Sequence, residues 1–246
     1  MVSTRTSTLA AARVGVRRQV PGSPDPLTAG PGWEMIEHVF ALQGTLFGGA
    51  DPDIDRAFGG LERRELDHES WVEYCPGWLR GADSAFEALR DGLAFTQRRV
   101  VMYDRIVDEP RLTWWWTPAR PGPEPLPALA EARRALSVRY GRDFDSIGFN
   151  FYRDGADSVA WHADRNRLWS TDPVIAIVSV GEPRPLLLRP RGGGSSRRYE
   201  LGGGDLLVMG GACQHGWEHC VPKVARAGPR ISISYRHGAD APADGV

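Results

Sequence analysis

The chain has 246 residues, 41% of them apolar, enough for one β-rich domain with a sizeable core. Its 30 Lys and Arg against 31 Asp and Glu leave a formal net charge of -1, so no global field draws it to nucleic acid or to an anionic membrane, and any polyanion site must be local. No run approaches the roughly 20 apolar residues of a spanning helix, so no membrane role is expected; Cys75, Cys213 and Cys220 form no CxxC pair, and a reducing, cytoplasmic setting is expected.

The first 24 residues carry Arg5, Arg13, Arg17 and Arg18 and no acid, a composition shared by flexible tails and organelle transit peptides. Residues 21–32 are too rich in Pro and Gly for regular structure, so 1–32 are expected to be a disordered tail and 33–246 a single domain. The spacing of Met35, Val39, Leu42 and Leu46 predicts a helix from Trp33 to Phe47. Ser84 to Glu87 reads as a capping box that opens a second helix, and Pro127 to Gly141 bounds a third. Runs at 98–103 and 111–116 predict strands, and beyond Gly141 short β-rich runs follow at 147–153, 174–180, 185–189, 205–209 and 230–236. That rhythm predicts an α+β, mainly β fold, a double-stranded β-helix (jelly roll) with N-terminal helices as supports.

His162 and Asp164 follow an apolar-aromatic strand, and the two-residue period of extended backbone puts both on one face, where they can share a metal. An imidazole and a carboxylate need one more ligand to form the facial triad of mononuclear non-haem Fe(II), which leaves positions open for co-substrate and dioxygen. His215, His219 and His237 lie downstream; His219, in a strand ended by Pro222, is the preferred third ligand, with His215 as its alternative or as a supporting partner and His237 read as solvated. An HxD pair alone is a weak signal. Eleven residues beyond His219, however, Arg230-Ile-Ser-Ile-Ser-Tyr-Arg236 alternates strictly, with Arg230, Ser232, Ser234 and Arg236 on one face. Six residues of strand span about 20 Å, so two inward guanidinium groups can bracket a short dicarboxylate.

Together, Asn150-Phe-Tyr152, His162-Ala-Asp164, Trp217-Glu-His219-Cys-Val-Pro-Lys223 and Arg230 through Arg236 resemble the AlkB-like family of 2-oxoglutarate oxygenases, the nucleic-acid dealkylases, over about residues 98 to 237. The resemblance implies Fe(II) held by His162, Asp164 and His219. It also implies 2-oxoglutarate bound by Arg230 with help from Tyr152 and Asn150, Ser232 taking the place of an Asn found in some relatives, and Arg236 nearer the metal end. The implied reaction uses dioxygen to hydroxylate a methyl group on a base nitrogen, releasing succinate and formaldehyde.

A base that reacts in this way must leave the stack and rest against aromatic side chains, so the substrate is expected to be single-stranded or to present a flipped base. Trp114 and Trp116 share one strand face and are the expected stacking residues, their bland alternative being core. The Arg-rich stretch from Arg184 to Arg198 reads as a loop able to ride a phosphate backbone, or merely as a solvated one. The family commonly carries a further acid two residues after the HxD aspartate, where this chain has Asn166, which offers hydrogen bonds to a base but no carboxylate. That departure leaves a second reading, a hydroxylase of a protein or small molecule; a third is a non-enzymatic β-barrel binding module whose His and Asp are structural or hold zinc.

Overall fold

A computed structural model of the chain describes residues 49–102, 105–120, 122–164 and 172–238, all within one unit, Phe47–Val246. The expected tail, the helix at 33–47 and Asn166 lie outside the described residues.

The N-terminal part contributes β1 (Asp53–Ile54), β2 (Glu62–Glu65), β3 (Ser70–Cys75), β4 (Leu79–Arg80) and helix α1 (Ala82–Gly92). β5 (Arg99–Met102), β6 (Arg105–Asp108), β7 (Leu112–Trp116) and helix α2 (Pro127–Tyr140) follow. The remaining elements are β8 (Phe144–Tyr152), β9 (Val159–His162), β10 (Ile175–Gly181), β11 (Arg184–Pro190), β12 (Arg197–Leu201), β13 (Leu206–Gly211), the one-turn helix α3 (Cys213–Gly216), β14 (Trp217–Val221) and β15 (Arg230–His237). The described residues are thus mainly β with few helices. The strands foreseen beyond Gly141 all form, whereas β2 and β3 were not foreseen, because ERRE and SWVEYC carry charge where an apolar run would announce a strand.

α2 has the expected ends, Pro127 in its first turn and Gly141 as a left-handed cap at φ 60. α1 differs from expectation. It begins at Ala82, two residues before Ser84, with Gly81 as N-cap at φ 63 and no side-chain cap. A Cβ on Gly81 would sit 2.3 Å from the Ala50 carbonyl oxygen, so close backbone approach at a glycine, and not a capping box, sets this start.

Two sheets carry the architecture, a seven-stranded one in the order β2-β3-β13-β10-β15-β8-β7 and a four-stranded one in the order β12-β11-β14-β9. From β8 to β15 the chain passes back and forth between them, except that β11 and β12 follow one another in the small sheet, and all pairings are antiparallel. The two-residue period then sorts each strand of the large sheet. Ile147 and Phe149 of β8, Ile231, Ile233 and Tyr235 of β15, and Val178 and Val180 of β10 join Leu89 of α1 and Leu129 and Leu136 of α2 in one core. Ile175, Ile177, Leu207 and Met209 point the other way and pack with Leu186, Leu188 and Trp217 of the small sheet. The same side of β15 and β8 is polar, so the space between the sheets is apolar toward β13 and polar toward β7.

β7 obeys the same arithmetic, and this favours the core alternative for two of its tryptophans. Trp114 opposes Phe149 and Trp116 opposes Ile147, so both tryptophans face the helix-side core: Trp116 is buried in it and Trp114 meets the Phe149 ring edge-on at 5.4 Å. Trp115 opposes Gly148 and lies on the inner, polar face. Replacing Trp116 with Ala should therefore remove about 3–5 kcal/mol of stability, while the half-buried Trp115→Ala loses clearly less. Denaturant unfolding checks this, and equal losses would contradict the face assignment.

Candidate metal centre and acid-binding face

His162 ends β9 and His219 lies in β14, directly opposite it in the ladder, with ring centroids 4.2 Å apart. Asp164 follows two residues later and brings a carboxylate oxygen to 3.7 Å from His162 Nε2. Donor atoms of the three residues all lie within 4.8 Å of one another, the one such cluster of three or more among the described residues. His215 is exposed on α3 and is not part of it, and His237 is half-buried, accepting a hydrogen bond from the Val174 N–H at 3.0 Å, so it is not merely solvated.

Protonation states suit a cation. His162 Nδ1 lies 2.9 Å from the Ala160 carbonyl oxygen, a contact it can make only as the donor, which makes Nε2 the ring nitrogen turned toward Asp164 and the one available to a metal. Burial pushes the His219 imidazole down to about 4 against the opposing pull of Asp164, so it is neutral at neutral pH. Burial acts to raise the Asp164 carboxyl, yet Arg236 and the two imidazoles overcome it and hold the group at about 2. Lone pairs on nitrogen beside an ionised carboxylate are what a divalent metal requires, and two His with one carboxylate match the non-haem Fe(II) donor set.

The inner face of β15 continues from this cluster. Arg236 donates to Asp164 Oδ2 at 3.0 Å and lies 5.4 Å from the Trp115 ring centroid. At the other end Arg230 is fully buried opposite Tyr152, its guanidinium 5.3 Å from the Tyr152 ring. Arg230 Nε donates to Ser179 Oγ at 2.5 Å, but neither terminal nitrogen has a hydrogen-bond partner among the described residues. Burial lowers its pKa to about 10, which still leaves it cationic at neutral pH. A dry cation with bare donors is costly unless an anion meets it, so this end of the strand fits a carboxylate.

Ser232 and Asn150 oppose each other midway along this face. Asn150 Oδ1 accepts from Arg111 Nε at 2.9 Å, and Arg111 also pairs with Glu109 at 3.1 Å. The expected binding residues Asn150, Tyr152, Arg230, Ser232 and Arg236 are therefore on one surface, with Ser179 and Arg111 as unforeseen neighbours. Both had a signal: Ser179 is the lone polar residue in an otherwise apolar strand, and Arg111 shares its parity with Thr113 and Trp115.

The inner aromatic is Trp115. Its ring lies on Gly148, where an added Cβ would fall 2.2 Å from the indole and 3.0 Å from an Arg236 nitrogen, so the glycine makes room for both. The Arg-rich stretch is also unlike its expectation. Arg184 is wholly buried, donating to the carbonyls of Asp154, Asp157 and Pro222, while Arg197 holds the carbonyls of Glu65 and Leu66 and Arg189 pairs with Glu218. These side chains tie loops together and leave few donors for phosphate.

The Arg236 contact has a titratable consequence in the metal-free protein. A carboxyl held at about 2, below its usual 3.8, contributes stability that is present above the usual value and is lost as pH falls through the lowered one. Arg236→Met should raise the Asp164 midpoint and move that loss to higher pH. Carboxyl-carbon NMR titration reads it, and an unchanged midpoint would exclude Arg236 as the cause.

The family model described as "2OG-Fe(II) oxygenase superfamily" matches residues 114–236, which run from the inner aromatic strand to Arg236. "Alpha-ketoglutarate-dependent dioxygenase alkB homolog 3" of Mus musculus is 33% identical over 243 residues, covering 85% of this chain and 84% of that protein. "DNA oxidative demethylase ALKBH2" of Arabidopsis thaliana is 28% identical over 212 residues, covering 70% and 68%. Among solved structures, "The structure of OsALKBH1" superposes with a TM-score of 0.50 at 13% identity, covering 72% of this chain and 100% of that one, a likeness of fold alone. With the donor cluster and the acid-binding face in place, these similarities show that the chain belongs to the 2OG-Fe(II) oxygenase superfamily, as an AlkB-like dioxygenase that uses Fe(II), 2-oxoglutarate and dioxygen.

Proposed function

We propose that the protein oxidatively demethylates N-alkylated bases of nucleic acid, acting on single strands or on a base flipped from its stack, within a double-stranded β-helix. The jelly-roll reading is supported by the passage of β8 to β15 between two antiparallel sheets. The observation that carries the function is the inner face of β15, which runs from a buried guanidinium in need of an acid to a second one bound to the carboxylate of the donor cluster. The activities that name the alkB homolog 3 and ALKBH2 relatives support the oxidative class and, for the latter, a DNA substrate.

His162, Asp164 and His219 would hold the iron. Arg230 takes one carboxylate of 2-oxoglutarate, with Tyr152, Asn150 and Ser232 lining the path between its ends. Fe(II) held there would supply the oxidising chemistry, in which one atom of dioxygen would enter a methyl C–H bond and the other succinate, as 2-oxoglutarate loses carbon dioxide. The N–CH2OH product then breaks its N–C bond, the nitrogen keeping the electron pair and gaining a proton while formaldehyde departs. Arg236 keeps Asp164 ionised and oriented, and the half-buried Trp115 offers the face on which a displaced base rests.

Incubation of the protein with Fe(II), 2-oxoglutarate and methylated single-stranded oligonucleotides should release formaldehyde and succinate, and His162→Ala should abolish both. Equal rates in wild type and variant would end the assignment. Arg230→Ala should weaken 2-oxoglutarate binding by about 10- to 100-fold, the loss of a charge-assisted pair, with metal binding retained; calorimetric titration separates the two. Oligonucleotide affinity should fall steeply with salt, and salt-independent or absent binding would favour a protein or small-molecule substrate.

A further inference from the structure

Asp164 lies beyond the end of β9, so no ladder fixes its backbone, although its carboxylate must meet two imidazoles and Arg236 at once. Its N–H donates instead to Gln214 Oε1 at 3.2 Å. Gln214 is buried, 3% exposed, on the one-turn α3 between β13 and β14. Its amide orientation is forced, because a flipped side chain would turn NH2 toward the Asp164 N–H, donor against donor. Among the described residues the amide nitrogen finds one partner, Met209 Sδ at 3.7 Å, a weak acceptor. A buried amide with so little else to bond is placed for its oxygen.

We propose that Gln214 is a positioning residue for the metal centre: through its carbonyl oxygen it fixes the backbone of Asp164, so that the segment 213–219 both delivers His219 and holds the neighbouring donor in place. The inference rests on the reading of His162, Asp164 and His219 as the iron site. Asp164 is then held twice, at the carboxylate by Arg236 and at the backbone by Gln214. Gln214 touches none of the reacting groups; it acts through Asp164.

The test uses full-length metal-free protein and Co(II) alone, whose visible bands report ligand geometry. Gln214→Met keeps the volume and loses the acceptor, and Gln214→Glu keeps the acceptor. Gln214→Met is expected to weaken Co(II) binding by about 10- to 100-fold, the range for a residue that orients a ligand, to alter the bands and to speed hydrogen exchange at the Asp164 amide. Its metal-free thermal midpoint is expected to stay near wild type, and Gln214→Glu is expected to recover most of the affinity and the protection. Unchanged affinity and bands in Gln214→Met would overturn the proposal, as would a Gln214→Glu protein as impaired as Gln214→Met, or a Gln214→Met protein that does not fold. If wild type shows no Co(II) bands that His162→Ala removes, the metal-site reading fails and takes this proposal with it; if wild type shows them and Gln214→Met matches, this proposal alone fails.

Discussion

The contact between Arg236 and Asp164 is the interaction on which the site depends. β15 belongs to the large sheet and Asp164 follows a strand of the small one, so this 3.0 Å bond joins the two where the donor cluster forms. Burial works to raise the Asp164 pKa, and a neutral carboxyl is a poor metal ligand. The guanidinium, together with the two imidazoles, outweighs burial and keeps the group ionised. Its other neighbour, the Trp115 ring, is there because residue 148 has no side chain.

Around that contact the large sheet acts as a sorter. A period of two sends Ile231, Ile233 and Tyr235 to the helices and Arg230, Ser232, Ser234 and Arg236 inward. A slip of one residue in this register would bury two guanidinium groups among leucines and expose three large apolar side chains to the interior. Stability and chemistry therefore select the same register, and the α1 and α2 packing that covers the outer face also fixes which side chains turn inward.

Much of the site was legible because its residues obey that local period. His162 with Asp164, Asn150 with Tyr152, and Arg230 with Arg236 each share a face by spacing, and the structure brings them together. What could not be read were facts that depend on a neighbouring strand. Three successive tryptophans look alike in sequence, and the pairing of Trp115 with Gly148 decides which turns inward. The buried Arg184 and the exposed Arg197 looked like parts of a solvated loop because their partners are backbone carbonyls from distant segments, which leave no mark in composition. β2 and β3 were missed for a related reason: long-range pairing with β13 draws β3 into the sheet, and the charged β2 follows by pairing with β3.

The bare terminal nitrogens of Arg230 bear on stability as well as on recognition. Among the described residues none hydrogen-bonds to them, and a guanidinium buried with unmet donors weakens the native state relative to the unfolded chain, where water solvates it. An acid that bound there in the native state alone would remove that penalty and add its own binding free energy by mass action, so occupancy of the pocket and resistance to unfolding would rise together.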